Sequence, residues 1–421
     1  MDKFIVKGPT PLNGDITISG SKNAVLPLLA AALLADEPMI LENVPRLQDI
    51  YTFNNVLRVV GANVQFQDTE NQVIIDPSNV NYLEAPYDLV RKMRASFYML
   101  GALVGKHGYA KVSMPGGCAW GPRPVDLHLK GMKAMGIAIS LDKGYVIAKA
   151  GSRVPGGRYR LEPSSVGATI NLLLAAVLRA ESFTIENAAK EPDVVQLCNV
   201  LNKMGANISG VGSDTLCIKQ VQTLSGGTFQ NDPDRIEAGT FMIAAAMLPE
   251  SSLRLIGCNA QHLGNFPELL RQTGAKVDVE GEVISVQAPE ILQPVSITTE
   301  IYPGFPTDLQ AQWATMLSQA HGSSTVTDTV YFDRFSYVPE LSRLGANIKL
   351  KHNTAYIQGP TLLEGAAVMS TDLRASVSLV LAAMAAKNTS EILRVYHLDR
   401  GYESLEDKLT AIGAKLSRAQ E

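Results

Sequence analysis

Hydrophobic and polar positions along this chain recur in two registers. The first is an amphipathic phrase that closes on glycine and runs into an alternating stretch rich in Val and Ile. It reads VLRVVGANV at 56–64, GMKAMGIAI at 131–139, VLNKMGANI at 200–208, LLRQTGAKV at 269–277, LSRLGANIK at 341–349 and LTAIGAKLS at 409–417. The shared glycines, Gly61, Gly136, Gly205, Gly274, Gly345 and Gly413, are 75, 69, 69, 71 and 68 residues apart. Glycine is favoured just past a helix C-terminus, so each phrase predicts an amphipathic helix, a glycine stop and then a strand. The second register precedes each of these and is apolar on most sides: NAVLPLLAAALLA, RASFYMLGALVG, VGATINLLLAAVL, EAGTFMIAAAML, LQAQWATMLSQA and LRASVSLVLAAMAA. Such segments predict helices buried inside their own unit. The chain is therefore expected to hold six α/β (α+β) repeats of about 70 residues, each with two helices and several short strands. Periodicity alone does not choose between a string of six and two lobes of three. The polar, turn-rich stretch FQNDPDRIEAGT at 229–240 is a candidate crossover.

Composition narrows the function classes. The 421 residues are 46% hydrophobic and 19% charged, and the formal net charge is −4, so no broad basic face for nucleic acid is expected. The longest apolar runs, 24–35 and 378–386, are too short to span a bilayer. The opening MDKFIVKGPT has no apolar core of the signal-peptide kind, and a soluble, cytoplasmic protein is expected. Cys118, Cys198, Cys217 and Cys258 are widely separated, without the paired spacing of a zinc site or disulfide framework. No metal and no cofactor are expected, since there is neither a phosphate-loop motif nor a dinucleotide fingerprint.

Charged and polar residues cluster where the buried helices should begin, an expensive place for them unless they have a task. Lys22 and Asn23 open the first, Arg94 the second, Ser165 and Gly167 the third, Asp234 and Arg235 the fourth, Asp308 the fifth, and Asp372 with Arg374 the sixth. Cations at a helix N-terminus oppose the dipole, and a bound anion would reconcile them. Asp308 and Asp372 admit a second reading as ordinary N-caps. GGRYR at 156–160 reads as a surface hairpin, and the six histidines are scattered, with His128 and His397 each beside an arginine-bearing loop. In MPGGCAWGPRPVDLH, 114–128, Cys118 sits on a loop between two glycines and Pro122-Arg123-Pro124, where spacing alone admits both a structural cysteine and one made reactive by the neighbouring Arg123.

These motifs, in their order and spacing, resemble the UDP-N-acetylglucosamine 1-carboxyvinyltransferases, enolpyruvyl transferases of bacterial peptidoglycan synthesis. The resemblance runs from ITISGSKNA through YDLVRKMRAS, PGGCAWGPRPVDLH, SVGAT, NAAKEPDVV, PDRIEAGT, FPTDLQAQ, VYFDRFSYVPEL and TDLRAS to HLDRGYE. It implies a two-lobed inside-out α/β barrel, with residues 22–231 as one lobe, residues 1–21 and 232–421 as the other, and a cleft between them. It implies transfer of the enolpyruvyl group of phosphoenolpyruvate to the 3′-hydroxyl of UDP-N-acetylglucosamine, with release of phosphate. Lys22, Arg123 and Arg400 would cage the donor, with Asn23, Arg334 and Arg374 nearby. Cys118 would be the general acid and the site of a covalent adduct, on a flap formed by Pro115, Gly116, Gly117 and Cys118. Asp308 would be the base. Asn23, Arg94, Arg123, Pro124, Val125, Asp126, Leu127, Ser165, Val166, Gly167, Asp308 and Val330 would hold the nucleotide sugar. A cysteine at 118 also implies sensitivity to the epoxide fosfomycin, which alkylates that thiol in the family.

The chain departs from the family pattern at Gln48 and Pro163, where some members carry lysine, and at Trp120 and Pro122, which replace smaller flap residues. The first two fall on the acceptor side, so another nucleotide sugar is an alternative acceptor. Shikimate 3-phosphate, used by the sister transferases, is a further alternative, against which the flap thiol speaks.

Overall fold

All six repeat glycines have left-handed backbone, with φ between 93° and 108°, a conformation that costs glycine little and other residues much. Each follows an outer helix of amphipathic character: Gln48–Val59, Asp126–Met135, Pro192–Lys203, Phe266–Gln272, Tyr337–Arg343 and Leu405–Ala411. In this computed structural model the described residues are 2–91, 93–115 and 125–420. The strands form six four-stranded sheets of one design. In each, a parallel edge strand pairs with a central strand, followed by two antiparallel partners. The stretch GGRYR lies in such an edge strand, Val154–Arg160, paired in parallel with Ala180–Glu186, and not in the expected hairpin. Its Gly156 is required by close approach, because a Cβ there would lie 2.0 Å from the Ser182 carbonyl oxygen.

The chain divides into two compact units, Gly20–Asp232 and Met1–Ser19 with Pro233–Glu421. Each holds three sheets and its own hydrophobic core. The first unit is continuous in sequence and is built around the helices Lys22–Ala31, Met99–His107 and Val166–Ala176, which pack on one another. Gly101 and Gly105 let two of these helices touch, since a Cβ at either would meet the backbone oxygen of Asn171 or Leu174 at 2.3 Å. The second unit is built around Arg235–Met247, Gln310–Leu317 and Leu373–Ala385. Its N-terminal strand Asp2–Gly8 lies between Asn388–Leu393 and Leu416–Gln420.

The starts of the central helices follow a rule within each unit. The first and third are capped by a side chain: Ser21 and Ser165 in one unit, Asp234 and Asp372 in the other. The second is entered through a 3₁₀ turn without a side-chain cap, Arg94–Tyr98 in one unit and Thr307–Leu309 in the other. The helix expected to open at Arg94 therefore begins in its α-helical form only at Met99. Asp372 is an N-cap, accepting from the backbone N–H of Arg374 and Ala375. Asp308 is not, because the 3₁₀ turn places it one step inside the entry and turns its carboxylate toward two arginines.

Candidate active site

In the unit Gly20–Asp232, Ser21 starts the first central helix by accepting from the Ala24 N–H, which puts Lys22 and Asn23, both half-buried, in its first turn. Lys22 Nζ lies 2.8 Å from Asp49 Oδ2 on the outer helix Gln48–Val59, with Asp49 buried. The ion pair fixes a cation at a helix N-terminus, where the dipole alone would repel it. Ser165 starts the third central helix, accepting from the Ala168 N–H, so that Val166 and Gly167 present a first turn of helical N–H groups.

Beside that turn lies His128, a residue with a buried role. Its Nδ1 accepts from Asn171 Nδ2 at 3.0 Å, so the neutral ring carries its proton on Nε2. Burial, reinforced by Arg94 and opposed by Asp126, pushes its pKa down to about 3. A Cβ on residue 167 would lie 3.3 Å from the His128 ring, which is a packing reason for Gly167. Val125 is buried, Asp126 and Leu127 are half-buried, and Asp126 pairs with Lys130 at 2.9 Å. Arg94 is exposed, as are Gln48 and Pro163. Pro115 is described and half-buried. Gly116, Gly117, Cys118, Trp120, Pro122, Arg123 and Pro124 lie outside the described residues.

The other unit holds a denser cluster. Asp308 Oδ1 lies 2.7 Å from Arg334 Nη2 and 3.3 Å from Arg374 Nε. The Asp308 side chain keeps 26% of its surface accessible, against 14% for Arg334 and 8% for Arg374, so the carboxylate is the outermost member. Burial pushes the Asp308 carboxyl up, but the Arg374 and Arg334 guanidiniums override it and hold it well below the usual carboxylate range. Arg374 answers in kind: burial works against its charge, and Asp308 raises its pKa above the ordinary arginine value. Its guanidinium also lies against the Tyr402 ring, 5.9 Å from the centroid. Tyr402 Oη is 2.8 Å from Thr240 Oγ1, while Gln312 Nε2 donates to the Asp308 carbonyl at 3.0 Å and to Thr240. Arg400 ends the 3₁₀ segment Val395–Arg400, half-buried. His397 in that segment is half-buried too, its pKa lowered first by burial. Val330, 39% exposed, and Arg334 share the loop that follows strand Gly322–Asp328.

Two features here escaped the sequence reading. Tyr402 and Gln312 back the charge cluster, and Asp328 with Thr307 fixes its loop. Their signal was weak: a Gln in an apolar helix reads as core, a Tyr in the bend after Arg400 reads as loop packing, and an Asp closing a strand reads as a turn former. Cys198 and Cys258 are buried, and burial raises both thiols to about 12, so they are inert; Cys217 is exposed on a strand. Among the described residues, no group of three or more His, Cys, Asp or Glu side chains could hold a metal, and no helix is long and apolar enough to cross a membrane.

A family model described as EPSP synthase (3-phosphoshikimate 1-carboxyvinyltransferase) matches residues 6–409, which sets the chain among the carboxyvinyltransferases. The UDP-N-acetylglucosamine 1-carboxyvinyltransferase of Chlorobaculum parvum is 48% identical over 422 residues, covering 100% of this chain and 99% of the relative. The enzyme of the same name from Koribacter versatilis is 46% identical, covering 100% and 97%. The chain therefore belongs to the family of UDP-N-acetylglucosamine 1-carboxyvinyltransferases. Among solved structures, the enolpyruvyl transferase NikO from Streptomyces tendae superposes with a TM-score of 0.90 at 26% identity, covering 100% of this chain and 99% of that one. The EPSP synthase of Acinetobacter baumannii, at 16% identity and a TM-score of 0.77 over 100% of both chains, shares the α/β fold.

Proposed function

We propose that the protein transfers the enolpyruvyl group of phosphoenolpyruvate to the 3′-hydroxyl of UDP-N-acetylglucosamine and releases phosphate, the first committed step of peptidoglycan synthesis, in the cytoplasm. The observation that carries the mechanism is the ionised Asp308 held by Arg334 and Arg374. A carboxylate so strongly paired is a poor base. The donor is itself multiply anionic, and its carboxylate and phosphate compete for the same guanidiniums. Arrival of phosphoenolpyruvate therefore loosens the hold on Asp308 and raises its basicity, so the base becomes competent when the donor is present.

The reaction then balances as an addition followed by an elimination. The sugar 3′-oxygen bonds to C2 of phosphoenolpyruvate as Asp308 takes its proton. Cys118 delivers a proton to the methylene carbon C3. In the second stage the bond from C2 to the phosphate oxygen breaks, phosphate leaves with the electron pair, and C3 returns a proton to the Cys118 thiolate to restore the double bond. Lys22, Arg123 and Arg400, with Asn23 and Arg374, stabilise the phosphate as its charge builds. Ser165, Val166 and Gly167 offer helix N–H groups to the diphosphate, with Arg94 adding charge. Val125, Asp126, Leu127 and Val330, with Arg123 and Pro124, complete the nucleotide-sugar contacts. Pro115, Gly116 and Gly117 form the flap that carries Cys118, where the donor also adds covalently.

Phosphate release from phosphoenolpyruvate tests this, with UDP-N-acetylglucosamine and shikimate 3-phosphate as rival acceptors. Release with the nucleotide sugar alone, abolished by prior fosfomycin, is the expected result. Silence with the nucleotide sugar would sink the reading.

A further inference from the structure

Asp328 is fully buried at the end of strand Gly322–Asp328 and reaches the charge cluster through Thr307. Its carboxylate accepts four hydrogen bonds, all from neutral donors: Thr299 Oγ1 at 2.7 Å, Val330 N at 2.9 Å and Tyr331 N at 2.7 Å reach Oδ1, and Thr307 Oγ1 at 2.7 Å reaches Oδ2. Burying a charge is costly, and an uncharged side chain could have closed the same turn. What an uncharged amide could not do is accept on both sides.

The distinction matters at Thr307. A hydroxyl has one proton, and Thr307 spends it on Asp328, which leaves its oxygen to accept from Arg334 Nη1 at 3.1 Å. The other Arg334 nitrogen, Nη2, holds Asp308 at 2.7 Å. We propose that Asp328 is a positioning residue for the transfer reaction: by fixing the direction of the Thr307 hydroxyl it docks Arg334, and through Arg334 it aims the Asp308 carboxylate. The same carboxylate pins the backbone at Val330 and Tyr331, so the loop bearing Arg334 and the turn bearing Asp308 share one anchor. This rests on Asp308 acting as base in the proposed function.

The test compares Thr307→Val, Thr307→Ser and Asp328→Asn with the parent in steady-state kinetics, and adds crystal structures of the parent and of Thr307→Val. Thr307→Val and Asp328→Asn are expected to lower kcat about 10- to 100-fold, the usual range for a residue that orients a reacting group. KM for the nucleotide sugar should stay within about twofold in Thr307→Val, and Thr307→Ser, which keeps the hydroxyl, should stay within about twofold of parental kcat. In the Thr307→Val crystal, Arg334 Nη2 should have left the 2.7 Å contact seen here with Asp308. A Thr307→Val enzyme with parental kcat, or a Thr307→Ser enzyme as slow as the valine variant, would overturn the inference. Should Asp328→Asn fail to fold, the Thr307 pair decides alone. Should the parent transfer nothing, the functional reading fails, and an Arg334–Asp308 contact unchanged in the Thr307→Val crystal would overturn the positioning role separately.

Discussion

The two units start their central helices with the same plan and opposite chemistry. In Gly20–Asp232 the two caps are serines, Ser21 and Ser165, and in the other unit they are aspartates, Asp234 and Asp372. A serine satisfies an orphan N–H without adding charge, so the positive end of the helix dipole can still act on an anion. An aspartate satisfies the same N–H groups and neutralises that end. In the function proposed above, the serine-capped unit receives the phosphate groups on its helix N-termini. In the aspartate-capped unit the cations are side chains, and there Arg334 and Arg374 converge on Asp308. Equivalent positions in a repeat can be specialised by one oxygen-bearing residue for another.

The largest expected effect breaks the comparison at its charged centre. Asp308→Asn should lower kcat by about a hundred- to ten-thousandfold while phosphoenolpyruvate binding, measured by calorimetry, is retained, since both arginines lose a competitor. A variant that turns over at the parental rate would remove Asp308 from the chemistry. A smaller change sharpens the contrast between caps. Ser165→Asp keeps a good N-cap but sets a carboxylate where the diphosphate is proposed to lie, and KM for the nucleotide sugar should rise roughly tenfold or more. The reciprocal Asp372→Ser should keep stability within about 1 kcal/mol by denaturant titration. Equal KM values for Ser165→Asp and the parent would deny the serine caps their role. The mildest test concerns acid. His128 is held neutral, with its pKa at about 3, so the unfolded chain binds the extra proton between that value and the ordinary histidine value of about 6.5. Stability should therefore fall as pH drops through this window, and His128→Leu should show a shallower decline in melting temperature there than the parent.

Much of this was legible in the chain because glycine after an amphipathic helix has one dominant physical use, and the six repeat glycines all adopt it. The cap chemistry was half legible. Asp372 and Asp308 look alike in sequence, and only the 3₁₀ entry, a matter of how the preceding turn packs, separates a cap from a charge centre. GGRYR misled because paired glycines serve close strand approach as well as turns. The Asp328–Thr307–Arg334 chain was invisible, since its members are 6 to 27 residues apart and meet only through a strand end and a loop.

The placement of strand Asp2–Gly8 between two strands formed by residues 388–393 and 416–420 has a consequence for biosynthesis. That strand leaves the ribosome long before either partner. At roughly 5–20 residues per second it waits on the order of 20–75 s for a neighbour, while the uninterrupted unit 20–232 can complete its own core. One half of the molecule can thus mature during translation, while the other closes only once residues 388–420 have been made.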